Sequence, residues 1–193
     1  MRDYDEIMKH LMAEDIQALE EVAQLVDGFP TGKDDFIQRQ WITNAIDCWS
    51  AKVVHWMLQK GAPVLFRDDE GYTVLHSAIE RQKPDKYEIM RLLIEHGADV
   101  NAHGINDWTP AHMAAVRNDV EALRILHGAS ADFSIRTNID DYATPLEEAR
   151  LLGSSPEAVV YLEGITEPVA PPNGGHAAPP GNSGAAEGPP SVN

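Results

Sequence analysis

A residue suited to ending a helix recurs along this chain at a nearly constant interval. The positions are Gly28, Gly61, Gly97, Ser130 and Gly164, spaced by 33, 36, 33 and 34 residues, each after a short apolar run. Glycine is favoured at such ends because the chain often leaves a helix in a left-handed conformation that a Cβ atom disfavours. A unit of this length cannot bury its apolar face alone, so the interval predicts a stack of about five similar units.

A helix-start signal recurs with a similar interval. Residues 73–78 read TVLHSA, and the signal returns at Thr109 and Thr144, each followed directly by a proline. Threonine caps a helix by accepting a backbone N–H, and proline is tolerated at the first helical position, where an N–H has no helical partner. The pattern T-x-L-H-x-A, with residues 92–101 (LLIEHGADVN), resembles the ankyrin repeat, a helix-turn-helix unit with a projecting β-hairpin finger.

The resemblance implies an all-α ankyrin-repeat solenoid over residues 1–164, with about five helix-turn-helix units and short β-hairpin fingers. Residues 1–30 lack the signature and are rich in acids, so we expect them to be the N-terminal capping unit. The longer interval of 36 places three extra residues at 81–86, between the two helices of the third unit. Residues 165–193 contain 7 prolines and 5 glycines among 29 residues, a composition that predicts a disordered tail.

Charge and composition limit the classes of partner. The formal net charge of −16 makes nucleic acid a poor partner, because binding it depends on neutralising phosphates. The acidity is explained either by solubility alone or by long-range attraction of a basic protein partner. The single cysteine, Cys48, fits a reducing compartment, and no apolar run has the length of a membrane span. We expect a cytoplasmic protein, monomeric in isolation.

The sequence offers little that resembles catalytic or metal-binding chemistry. None of the eight histidines has the spacing of a zinc site, and no glycine-rich phosphate loop is present. The resemblance assigns His76 and His112 to structural hydrogen bonds between neighbouring fingers. His96, on a second helix, is expected to face solvent. We therefore predict no catalytic residue, no metal and no cofactor.

The resemblance instead implies a binding surface, formed by the finger tips and the exposed sides of the first helices. Apolar residues at finger tips are not needed for folding, and tyrosine, tryptophan and arginine carry much of the energy of protein interfaces. The fourth finger departs from the family pattern, because Gly104 stands where the family has aspartate and Asp107 where it has glycine. The candidate partner-binding residues are Phe36, Ile37, Arg39, Asp69, Glu70, Tyr72, Arg81, Ile105, Asn106, Trp108, Arg117, Asp140 and Asp141.

Three classes of function follow from these patterns. The first is a non-catalytic protein-binding module, specifically an acidic inhibitor or adaptor of a basic protein. On fold and charge alone, the chain resembles the ankyrin-type immunity proteins encoded beside secreted bacterial toxins. The second class is a regulatory subunit that assembles a larger complex without inhibiting it. The third, an enzyme, would need a deep pocket with perturbed titratable groups, which a short solenoid rarely encloses.

Overall fold

The computed structural model describes residues 2–48, 50–138, 142–153 and 155–166. Over these residues the chain forms ten α-helices connected by turns. In chain order they are α1 Arg2–Ala13, α2 Ile16–Leu25, α3 Trp41–Cys48, α4 Ala51–Gln59, α5 Val74–Glu80, α6 Lys86–Glu95, α7 Pro110–Val116, α8 Val120–Gly128, α9 Pro145–Leu152 and α10 Pro156–Thr166. The predicted all-α architecture is confirmed.

The helices pair in sequence and stack in two layers. The first helices of the pairs, α3, α5, α7 and α9, contact one another in that order and form the inner layer. The outer layer consists of α4, α6, α8 and α10, which also follow one another in contact. Helices α1 and α2 pack together at one end of the stack. We call the turns that lead into the inner helices the fingers, and the fingers with the exposed side of the inner layer the concave face.

The helix starts follow the local rules that the sequence indicates. The side chain of Thr73 accepts the backbone N–H of His76 at the start of α5, over 3.5 Å. Pro110 and Pro145 occupy the first positions of α7 and α9, each directly after a capping threonine. The short inner helices therefore begin where side chains satisfy the first N–H groups or proline removes one.

The helix ends confirm four of the five predicted positions. Gly28, Gly61, Gly97 and Ser130 have φ of +78°, +86°, +88° and +63°, so the chain turns left-handed at each of them. Gly164 is different, because α10 continues through it to Thr166. Helix α10 begins 36 residues after α8, and its glycine corresponds to Gly128, which also lies within its helix. The prediction that Gly164 ends the last helix is wrong.

Two other predictions concern segment boundaries. The loop between α5 and α6 spans residues 81–85, whereas that between α7 and α8 spans only 117–119. Two of the three extra residues of the third unit therefore lie between its two helices, and the third lengthens α6, which has 10 residues against the 9 of α8. Of the predicted tail, Ile165 and Thr166 belong to α10. The remainder, residues 167–193, falls outside the described residues.

The apolar core runs continuously through the stack. Trp41 and Trp56, both buried, join the N-terminal helices to the second unit: Phe29 lies edge-on to Trp41 at 5.2 Å between ring centroids. The indole N–H of Trp56 donates to Glu20 over 2.8 Å. The fingers are short hydrogen-bonded turns, and in the described parts of the chain the only β-bridge joins Lys33 and Gln40. No helix in those parts has the length and apolar character to span a membrane.

Candidate functional site

Two buried histidines connect successive repeats. His76 Nε2 lies 2.9 Å from the carbonyl oxygen of Trp108, and His112 Nε2 lies 3.0 Å from that of Ala143. A carbonyl only accepts, so each Nε2 carries the proton and donates it, which leaves Nδ1 to accept from the hydroxyl of Thr73 or Thr109. The structural role predicted for both histidines is confirmed.

Burial keeps these imidazoles neutral. Removal from water lowers the pKa of His76 from 6.5 to about 4, although its hydrogen bond to the Trp108 carbonyl opposes the change. Burial likewise lowers the pKa of His112. Neutral rings with both nitrogens bonded are available neither for metal binding nor for proton transfer. Among the described residues, no group of three or more histidine, cysteine or acidic side chains is arranged to hold a metal ion.

The His76 ring also explains the unusual glycine of the fourth finger. A Cβ atom at Gly104 would lie 2.4 Å from Cε1 of the imidazole, which is far inside van der Waals contact. Because that ring is hydrogen-bonded on both sides, it cannot move aside at little cost. The family's aspartate is therefore excluded from position 104. Asp107 instead stabilises the finger, accepting from the backbone N–H of Asn138 and lying 3.0 Å from His103 Nδ1.

The second finger, residues 33–40, is organised by a carboxylate of its own. Asp34 is 0% exposed, and its Oδ1 accepts the backbone N–H groups of Phe36 (2.9 Å) and Ile37 (2.7 Å). Its Oδ2 accepts from the side-chain amide of Asn44 over 2.9 Å. The tip held by these bonds projects two apolar side chains, since Phe36 is 62% exposed and Ile37 is 54% exposed.

The third finger, residues 66–72, uses an aspartate in a similar way and presents acids instead. Asp68 Oδ1 accepts from the N–H groups of Glu70 (3.1 Å) and Tyr72 (2.7 Å). Gly71 takes the left-handed conformation of the turn, with φ of +89°. Asp69 and Glu70 are exposed at the tip, whereas Tyr72 is partly buried against the core.

The fourth finger, residues 103–108, closes as the third does, with the N–H of its first turn residue, Gly104, donating to the carbonyl of Trp108. Ile105, Asn106 and Asp107 form one 3-10 turn, in which Asn106 and Asp107 have φ of +54° and +59°. Each left-handed residue other than glycine costs about 1 kcal/mol. Asn106 is exposed, while Ile105 and Trp108 are partly exposed and also pack against the core.

Paired charges line the inner helices between these fingers. Arg39 Nη2 lies 2.5 Å from Asp47 Oδ2, and the guanidinium of Arg117 pairs with Glu80. Burial raises the pKa of Asp47, although Arg39 opposes the change. Burial, followed by a hydrogen bond to Glu80, raises the pKa of Tyr72 to about 12. Tyr72 and Arg117 therefore meet at one carboxylate on the concave face, and both keep exposed surface.

Arg81 is a correction to the candidate set. The sequence places it at the exposed end of α5, but its side chain is 1% exposed and its Nη2 lies 2.8 Å from Asp85 Oδ1. Its Nη1 donates to the carbonyl of Ile46, and Asp85 also accepts the N–H of Ala51 over 3.1 Å. The extra residues after α5 let Asp85 reach this arginine, so Arg81 joins the second and third repeats and has no surface for a partner.

Two further candidates, Asp140 and Asp141, predicted at the fifth finger, lie outside the described residues. The candidate set leaves out Leu151 and Leu152, which are 61% and 53% exposed at the end of α9. Their signal in the sequence is their position, since they occupy in α9 the places of Val116 and Arg117 around the end of α7. They extend the concave face with apolar surface.

The repeat of α9 and α10 has a carboxylate in place of the buried histidine. Glu147 stands where the two preceding repeats have histidine, and its carboxylate binds Arg136 at 2.6 Å and the N–H of Thr144 at 2.8 Å. These bonds, that to Arg136 foremost, lower the pKa of Glu147 to about 2. Arg150 and Glu163 pair at 2.7 Å across α9 and α10. In this repeat, polar contacts therefore replace the hydrogen bond that His76 and His112 make to the following finger.

Comparison with known proteins agrees with this architecture. The family model for ankyrin repeats (3 copies) matches residues 3–104 and 42–138. BCL-6 corepressor-like protein 1 of Homo sapiens is 38% identical over 86 residues, which are 44% of this chain and 5% of that protein. RelA-associated inhibitor of Mus musculus is 39% identical over 83 residues, 42% of this chain and 9% of that protein.

A bacterial protein is also similar. Protein PhlB of Serratia liquefaciens is 34% identical over 87 residues, 45% of this chain and 37% of that protein. The chain therefore matches only a minor part of the length of each of these relatives. The similarity covers the repeats and says nothing of the other parts of those proteins.

Proposed function

Because this chain belongs to the ankyrin repeat family, we propose that it is a non-catalytic module that binds a protein partner through its concave face. Ankyrin repeats are typically interaction modules, and fold alone does not assign a partner. The proposed contact residues are the candidates that keep exposed surface: Phe36, Ile37, Arg39, Asp69, Glu70, Tyr72, Ile105, Asn106, Trp108 and Arg117.

The observation that carries this proposal is the exposed apolar tip of the second finger. Phe36 and Ile37 are more than half exposed, yet a fully buried carboxylate holds the backbone that presents them. A fixed turn loses little conformational freedom when a partner binds, which favours affinity. Tyr72 and Trp108, partly exposed at the bases of the next two fingers, add the aromatic surface from which interface hot spots are commonly built.

We further propose that the partner is basic. The chain has a net charge of −16, and Asp69 and Glu70 are exposed at a finger tip with no ion-pair partner among the described residues. Acids in such places accelerate the approach of a basic protein, and salt screens the effect. A salt-dependent association rate is therefore part of the proposal.

The consequence of binding separates two candidate functions. An inhibitor or adaptor is favoured by the acidic, rigid surface, and one relative carries the name RelA-associated inhibitor. A regulatory or assembly subunit is the second candidate. If a basic enzyme co-purifies and loses activity when bound, the protein is an inhibitor, and a secreted toxin as that enzyme would make it an immunity protein. If activity is unchanged, the protein is an adaptor or assembly subunit.

The experiment that tests the proposal is affinity isolation followed by a variant series. The partner isolated with the full chain is purified, and its affinity is measured by calorimetry. Trp108→Ala is expected to weaken binding by about 2 kcal/mol or more, as hot-spot aromatics do, with the melting temperature recorded to show that the variant is folded. The matched control is His96→Ala on the outer layer, where the side chain is exposed. A folded Trp108→Ala variant with normal affinity contradicts the proposal, as does a loss of binding in His96→Ala.

A further inference from the structure

Two adjoining cavities lie on the concave face between the second and third repeats. The larger, about 520 Å³, separates the second finger from the third, and its walls include Ile37 and Phe66. The smaller, about 310 Å³, lies beside Tyr72 and Ser77. Both cavities are lined by Arg39 and Glu70. They therefore form one continuous depression, about the size of a small ligand site and open along the face.

The larger cavity combines apolar surface with charged side chains of both signs, since Lys33 and Arg67 line it together with the acids of the third finger. Ile37 is 54% exposed and Phe66 is partly exposed, so an apolar guest side chain would remove both from water. On the facing wall, Asp69 and Glu70 have no ion-pair partner among the residues that the structure describes. The walls are held in place by Asp34 on one side and Asp68 on the other, each binding two backbone N–H groups of its own turn.

The smaller cavity has an excess of acceptors. The two arginines in its walls are each bound to a carboxylate, Arg39 to Asp47 and Arg81 to Asp85. Ser77 is 5% exposed, and its hydroxyl has no hydrogen-bond partner within the described ranges although it lines the cavity. Glu70 remains without a cation, and the Tyr72 ring forms one side. Such a site suits a cationic side chain, which an acid attracts and an aromatic face also stabilises.

We propose that this depression binds one extended segment of the partner protein, in which an apolar side chain lies next to a lysine or arginine. The apolar side chain packs between Ile37 and Phe66, and the cation enters the cavity beside Tyr72. This inference rests on the proposed function and specifies the chemistry of the partner. A second copy of this chain is a poor occupant, because two molecules of charge −16 repel each other.

The test uses the full chain and a set of synthetic peptides of nine residues in a Gly/Ser background. One position carries Leu, Phe or Ser, and the next or the next but one carries Lys, Arg, Gln or Glu. Peptides with Leu or Phe beside Lys or Arg are expected to bind at least about tenfold more tightly than those with Ser or with Glu. Binding is measured by fluorescence anisotropy at protein concentrations up to about 1 mM, so that dissociation constants near 1 mM are still detected.

Matched variants locate the binding. Ile37→Asp is expected to weaken the preferred peptides about tenfold and Glu70→Gln about fivefold, since they remove the apolar wall and the unpaired acid. Their controls are Val160→Asp, at a 70% exposed apolar position on α10, and Glu95→Gln, at an exposed acid on α6. Both controls should bind as the wild type does.

The outcomes separate this inference from the proposed function. Absence of peptide binding, a preference for Glu, or normal binding by Ile37→Asp and Glu70→Gln overturns the inference. If Trp108→Ala nevertheless weakens binding of the isolated partner, the proposed function stands and only the segment chemistry is wrong. If neither the peptides nor any partner protein binds the concave face, both are wrong.

Discussion

The second and fourth fingers lie at equivalent places in their repeats, but different atoms fix their turns. In the second finger, Asp34 binds the N–H groups of the tip that follows it in sequence. In the fourth, the carbonyl of Trp108 accepts from His76 of the preceding repeat, and Gly104 makes room for that ring. The turn of the second finger is thus fixed by residues of its own repeat, whereas that of the fourth finger depends on the preceding repeat. That difference decides what each change below should do.

The largest effect is expected from removing the buried carboxylate of the second finger. Asp34→Ala leaves two backbone N–H groups and the Asn44 amide without their acceptor, and should lower the free energy of unfolding by about 3 kcal/mol. Asp34→Asn keeps one acceptor oxygen and should lose less. Urea unfolding of both variants measures the difference. Equal stability of Asp34→Ala and the wild type would show that the turn does not depend on Asp34.

The fourth finger should be destabilised by a side chain that takes up the space beside Gly104, and not by the loss of a polar group. Gly104→Ala places a methyl group against the His76 imidazole and should cost about 2 kcal/mol, in the range of overpacked interiors. The control is Gly128→Ala, where a Cβ meets no atom within 4 Å and helix propensity favours alanine by about 1 kcal/mol. We expect the urea midpoint to fall in Gly104→Ala and to rise in Gly128→Ala, each relative to the wild type. A neutral Gly104→Ala would mean that the ring moves aside freely.

Acid should act on the fourth finger through His76. The unfolded chain protonates this residue below about pH 6.5, but the folded chain does so only near pH 4. Its contribution to stability is therefore complete above pH 6.5 and is lost as the pH falls from 6.5 towards 4. Between pH 7 and 5.5 the wild type should lose about 1 kcal/mol more than His76→Gln does. His96→Gln, at an exposed position, is the control and should follow the wild type.

The smallest change relieves a left-handed residue of the fourth finger. Asn106→Gly removes the Cβ atom of a residue whose φ is +54°, and should raise stability by about 0.5 kcal/mol. Ser130→Gly, at the end of α8, tests the same argument outside the fingers and should be neutral or stabilising. Thermal melting is sensitive enough for both. A destabilised Ser130→Gly would indicate that the serine side chain has a role that its backbone angle does not reveal.

Local signals made most of the fold predictable from the sequence. Thr73, Pro110 and the recurring glycines act within one helix turn of their own positions, so a single chain is enough to identify them. Gly164 was wrongly predicted to end its helix because the residue type alone does not distinguish a helix-ending glycine from one within a helix. The partners of Arg81 and Gly104 lie about one repeat away or across an insertion, and a residue pattern contains no information on such contacts.

The candidate site was less predictable than the fold for the same reason. The positions of Phe36, Ile37 and Glu70 on the fingers follow from the repeat, and the structure places all three with exposed surface. What the sequence lacked was the cavity between two fingers, which depends on how one repeat is rotated against the next. The repeat also places Leu151 and Leu152 at the exposed end of their helix, where the structure shows them, although the candidate set leaves them out.

The replacement of histidine by Glu147 sets a rule for editing the chain by duplication. A repeat whose histidine reaches forward is complete only if another finger follows it, whereas the unit with Glu147 satisfies its own cap. Extra copies of the fourth repeat inserted between α8 and the fifth finger would each supply the carbonyl that the preceding histidine needs, so the array can lengthen there. The same copies placed after α10 would meet a unit whose acid offers no donor to the next finger. Repeats can therefore be added before the repeat that contains Glu147, but not after it.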